Sequence, residues 1–115
     1  MLIMAFALGC DDIFVEDISA YTLQLKAPSS GWKSEDTKVS FSWENVPKAV
    51  NYKLEVVTPG FSVNHQLVFE RLLEVAKFDT TLVTGEYEWR VKAMNSASAT
   101  DFFTSSFSIL PESNI

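Results

Sequence analysis

Leu82 to Asn95 reads LVTGEYEWRVKAMN, and this stretch decides the fold. Tyr87, Trp89, Val91 and Ala93 are apolar or aromatic, whereas Glu86, Glu88, Arg90 and Lys92 are charged. Successive side chains of a β-strand point to opposite faces, so the stretch reads as a strand with one buried and one wetted side. Antiparallel sheets that cover only one face carry this pattern. Leu82-Val83-Thr84-Gly85 turns the chain into the strand, and Tyr87 is placed to reach back and hydrogen-bond that turn.

The same alternation recurs on either side. Tyr21, Leu23 and Leu25 alternate with Thr22, Gln24 and Lys26 until Ala27-Pro28-Ser29-Ser30-Gly31 breaks the run. Val39, Phe41 and Trp43 alternate with Lys38, Ser40 and Ser42, and Tyr52, Leu54 and Val56 with Lys53 and Glu55. Near the end, Phe103, Phe107 and Ile109 oppose Thr104, Ser106 and Ser108. Between Gln66 and Ala76 two periods compete. Phe69, Leu72, Leu73 and Ala76 sit at helical spacing, yet strand character resumes by Phe78, Thr80 and Leu82. Two short strands are preferred there, with a short helix as the alternative.

The count is about seven strands without crossover helices, which predicts an all-β, two-sheet antiparallel sandwich. A chain of 115 residues, 47% of them hydrophobic, suffices for one such domain and its core. Trp43 and Trp89 are its natural centrepieces, provided each indole N–H finds an acceptor, and Tyr52 and Tyr87 join them. The outward charges Lys53, Glu55, Glu88 and Arg90 read as a solvated face with cross-strand pairs.

Met1 to Gly9 is almost wholly apolar and ends at Cys10, the one cysteine. The run is far shorter than the roughly 20 apolar residues of a membrane-spanning helix, and it fits a signal-peptide core. It resembles a bacterial lipoprotein signal, in which the cysteine is acylated, although Ala7 and Leu8 stand where the pattern carries Leu and a small residue. The alternative is a buried first strand with an inert thiol. The expected organisation is therefore a signal segment over 1–9, a tether over 10–19, the sandwich over 20–110, and a tail or linker over 111–115. Asp11, Asp12, Glu16 and Asp17 read as a solvated tether rather than a calcium site, and no metal or cofactor is expected.

VSFSWENVPKA over Val39 to Ala49, NYKLEVV over Asn51 to Val57, and Gly85, Tyr87, Trp89, Arg90 and Val91 together resemble the fibronectin type III family. The variants in surface lipoproteins of Bacteroidota are the most similar in these motifs. The resemblance implies a seven-stranded immunoglobulin-like sandwich, a lipid anchor at Cys10, and a place in the outer membrane or at the cell surface. It also implies a role in glycan uptake or surface assembly, with a protein or glycan as partner.

Chemistry is sparse. A net charge of −6 supplies no cationic surface for nucleic acid. His65 is the sole histidine, no Gly-x-Ser-x-Gly elbow exists, and four glycines build no phosphate loop. An enzyme is not expected; a small hydrolase is the alternative. Function is instead expected as binding or scaffolding, or as the spacer of a longer lipoprotein. If the first strand starts at the anchored end, Trp32, Phe61 and His65 fall in connections at the far end. They are the candidate contact residues, with a lid over the core as their other reading.

Overall fold

The computed structural model describes residues 15–112. Its strands are β1 (Leu25–Ala27), β2 (Trp32–Ser34), β3 (Lys38–Trp43), β4 (Asn51–Thr58), β5 (Gln66–Leu73), β6 (Lys77–Thr81), β7 (Gly85–Met94) and β8 (Phe103–Ile109). They form a three-stranded sheet, β1-β3-β6, and a five-stranded sheet, β2-β8-β7-β4-β5. The fold is the expected all-β sandwich.

Eight strands stand where seven were expected: the first, expected over Tyr21–Lys26, is strand only over Leu25–Ala27, and β2 is an additional short strand beyond the break at Pro28. β1 pairs antiparallel with β3, and β2 then crosses to the other sheet and runs parallel to β8, Trp32 opposite Phe107. Proline has no N–H to continue a ladder, so the break falls there. Gly31, at φ 79°, makes the corner and donates its N–H to the Ser106 carbonyl at 2.9 Å. Trp32, expected in a loop, is therefore a strand residue.

The disputed stretch is strand. β5 pairs with β4 in antiparallel register, Phe69 opposite Val56 and Leu73 opposite Tyr52, with a bulge beside Val57. Its core-side residues are only half-buried and Leu72 is 65% exposed, since β5 is the sheet edge. The helical spacing of Phe69, Leu72 and Leu73 is incidental to this arrangement.

Trp43, Trp89, Tyr52 and Tyr87 are all buried, as their parity requires. Phe41 bridges the sheets edge-on to Trp89 at 5.1 Å and to Phe107 at 5.8 Å. Trp43 packs on Tyr52 at 5.7 Å, and the Tyr52 hydroxyl accepts the Val46 N–H at 3.0 Å. The expected acceptors for the indoles are missing. Neither the Trp43 nor the Trp89 Nε1–H has a hydrogen-bond partner among the described residues. The turn before β7 is closed as anticipated, the Tyr87 hydroxyl donating to the Val83 carbonyl at 2.7 Å.

The packed region begins inside the 10–19 stretch. Ile18 is fully buried, and its N–H donates to Ser98 Oγ at 2.9 Å. Asn95 Nδ2 donates to the Glu16 carbonyl at 2.8 Å, docking the incoming chain on the connection between β7 and β8. At the opposite end Leu110 N–H donates to Ser34 at 2.7 Å. The chain thus enters and leaves the sandwich at opposite ends. Residues 1–14 and 113–115, including Cys10, Asp11 and Asp12, lie outside the described residues.

Candidate binding face

β7 carries its charges on the face turned away from the core, where the large sheet would ordinarily meet water. Here that face is partly covered. The connection Pro59 to His65 folds back over it, and Phe61 N–H donates to Glu88 Oε1 at 2.7 Å. The Phe61 ring then lies 4.2 Å from the Arg90 guanidinium, while Phe102 lies 4.1 Å away and Lys92 sits 4.9 Å from the Phe102 ring. Arg90 is therefore in contact with two phenyl rings, a cation–π arrangement that favours the delocalised guanidinium.

Arg90 is fixed from the strand side as well. Glu55 stands opposite it in the β4–β7 register, and Arg90 Nε and Nη2 both donate to Glu55 Oε1 at 2.8 Å. Lys53 Nζ lies 3.5 Å from Glu55 Oε2 and 3.5 Å from Glu70 Oε2. Glu55 is buried, at 9% exposure, and Val57 on the same side at 2%. The reading of these charges as a solvated face is corrected: the folded-back connection and Phe102 give the sheet a small second layer. Gly60 permits that approach, since a Cβ there would come within 3.1 Å of Glu88 Oε1.

The candidate contact residues separate into two sites. Phe61 and His65 stay together, their rings 5.7 Å apart, with His65 exposed and its Nδ1 3.0 Å from the Val63 carbonyl. Trp32 is on the other side of the sheet, half-buried and 6.2 Å from the Phe107 ring. It borders a shallow opening of about 360 Å³ with Pro28 and Lys38. The Trp32 ring packs against the core. Beside Phe61, a shallow polar groove of about 540 Å³ runs between Val63, Lys33, Glu86, Glu88, Ser106 and Ser108.

Arg90 and Glu55 were visible in sequence as facing charges, but Phe102 was missed. Its signal is the pair Phe102-Phe103 at the start of β8, which supplies one ring to each face of the sheet. Titration is perturbed away from this cluster. The Glu16 carboxylate accepting from the Tyr21 hydroxyl holds that phenol above its usual pKa, and burial does the same for Tyr87. The Ser19 N–H, donating to Asp17, holds its carboxyl below the usual range. No group of three or more His, Cys, Asp or Glu suited to a metal occurs among the described residues.

No protein-family model matches the chain, and no curated protein matches it in sequence. Solved structures do. The fibronectin(III)-like modules of CbhA from Clostridium thermocellum align with a TM-score of 0.58 at 13% identity, over 78% of this chain and 98% of theirs. The fn3 domain of the human collagen alpha-1(XX) chain aligns with a TM-score of 0.59 at 14% identity, over 84% and 93%. At such identities the likeness is one of architecture. The chain has a fibronectin type III-like fold.

Proposed function

We propose that this chain is a non-catalytic binding module of the cell envelope, anchored through acylated Cys10 and meeting a protein or glycan partner with the face around Phe61 and His65. The observation that carries the reading is the polarity of the sandwich. The incoming chain docks at the end bearing Asn95 and Lys48, and the connection with Phe61 and His65 lies at the opposite end. An anchor ahead of Val15 would hold the first end toward the bilayer and turn the second outward. The apolar run ending at Cys10 supports the anchor, since several acyl chains on one residue bind membranes stably.

The same polarity favours a second reading, a spacer within a longer lipoprotein, because a module that enters and leaves at opposite ends extends a chain. Two measurements test the proposal. In a Gram-negative host, and with a complete signal, the protein is expected in the membrane fraction and Cys10→Ser in the soluble one or unprocessed; identical partitioning refutes the anchor. Phe61→Ser removes one cation–π contact, about 0.5–1 kcal/mol, and is expected to weaken partner or glycan binding with little loss of melting temperature. Binding that survives this change refutes the contact face and leaves the spacer reading.

A further inference from the structure

β5 is an edge strand, bonded to β4 on one side only. Edges of this kind are usually blunted by proline, short length, a bulge or a row of charge. β5 has eight residues, no proline and a bulge at Val68, which the ladder to β4 skips. Leu67, Val68 and Leu72 are 56%, 38% and 65% exposed, with Val63 and Val75 exposed at its two ends. Five of the exposed large hydrophobics thus line one edge, a place where unpaired N–H and C=O groups invite another strand.

We infer that this edge pairs with β5 of a second copy of the chain, antiparallel, about a two-fold axis passing through Glu70. The sequence of the strand selects both occupant and register. An axis perpendicular to the sheet keeps each face on its own side, so opposite residues share parity and the axis falls on a residue. An axis at Phe69 sets Glu70 against Val68 of the second copy, a charge against an apolar side chain. An axis at Arg71 sets Arg71 against itself and Glu70 against Leu72.

An axis at Glu70 instead gives two compatible pairs, aliphatic on aliphatic and cation on ring, each made twice by symmetry. Val68 faces Leu72 on the outer side, and Phe69 faces Arg71 on the core side. Arg71 already rests on aromatic rings in its own chain, 5.1 Å from Phe69 and 5.4 Å from Phe78, and donates Nη1–H to the Glu70 carbonyl at 2.9 Å, beside the proposed axis. The one opposed pair is Glu70 against Glu70. Each brings its own Lys53 at 3.5 Å, so the central four charges are balanced. Glu70 thereby keeps the association weak and reversible, because like charges directly opposite work against a pair.

The test uses the full chain carrying Cys10→Ser, which leaves an introduced thiol as the only one. Glu70→Cys is expected to oxidise to a covalent dimer, since opposed residues have Cα atoms about 5 Å apart. Gln66→Cys is eight residues out of step with its counterpart, about 27 Å away at ~3.4 Å per residue, and is expected to remain monomeric. This contrast is blind to any association through the apolar N-terminal run. Leu72→Lys added to Glu70→Cys is expected to slow cross-linking about fivefold, and Glu70→Thr alone to tighten self-association about fivefold in sedimentation. Both positions are exposed, and an unchanged melting temperature separates lost pairing from lost fold. Failure of Glu70→Cys to cross-link, or equal cross-linking at 66 and 70, overturns the inference.

Discussion

Replacing Arg90 by Ala tests whether the outer layer of the large sheet carries stability. Removing one partner of a fully buried ion pair costs about 3–5 kcal/mol. The Arg90 side chain is 32% exposed and that of Glu55 12%, and Lys53 remains 3.5 Å from the carboxylate. About half the buried cost, ~2 kcal/mol, is the appropriate share. The two phenyl faces at 4.2 and 4.1 Å add ~0.5 kcal/mol each or slightly more near the surface. The sum is ~3 kcal/mol, or about 12–20 °C in melting temperature for a domain of this size. Urea unfolding followed by tryptophan fluorescence reads it well, because Trp43 and Trp89 are buried and opening the sandwich exposes them. Glu55→Gln combined with Arg90→Ala is expected to recover part of the loss, since the stranded carboxylate is gone. An Arg90→Ala variant melting within about 3 °C of the parent refutes the reasoning, and the outward charges are then a solvated face after all.

Other expected outcomes follow from the core and its turns. Trp89→Ala is expected to cost ~3–5 kcal/mol in urea titration, whereas Trp89→Phe costs less than ~2 because it also deletes an unpaired buried N–H; equal losses contradict the orphan reading. Tyr87→Phe removes the bond to the Val83 carbonyl and is expected to cost ~1–2 kcal/mol at neutral pH. Burial raises the Tyr87 pKa, so its contribution is complete below about pH 10 and is lost as pH climbs through the elevated value. The Phe variant is expected to lack that alkaline component in its stability–pH curve. Lys48 has φ 69°, so Lys48→Gly is expected to raise stability by ~0.5–1 kcal/mol, and a lowered melting temperature refutes strain at that position.

Alternation made the strands legible but not their neighbours. Tyr87, Trp89, Val91 and Ala93 could be assigned to the core from parity alone, and the structure buries all of them. Parity also put Arg90 and Glu55 on the outward side, where it has no means of indicating a covering layer. That layer depends on the connection from Pro59 to His65 returning over the sheet, a path set by Gly60 and the Phe61–Glu88 bond and not by any period. Trp32 was misplaced for a similar reason. Three residues after a Pro-Ser-Ser-Gly break carry too little pattern to announce a strand, and its partner Phe107 lies far away in sequence. At β5 the helical spacing of Phe69, Leu72, Leu73 and Ala76 left a helix open beside the preferred strands, because an edge strand buries so little that either period fits it.

The parallel pairing of β2 with β8 has a mechanical consequence. Tension applied between the chain's two ends drags β2 toward the end bearing Asn95 and β8 toward the end bearing Gly85, so the two strands are pulled past one another. Trp32 against Phe107, Lys33 against Ser108, and Ser34 against Ile109 are then loaded together, in shear, and no rung opens ahead of the rest. An antiparallel terminal pair pulled in this way would peel like a zipper, one bond at a time. The short crossover at Pro28, which carries the chain from β1 on one sheet to β2 beside β8 on the other, is therefore what puts these rungs in the line of load.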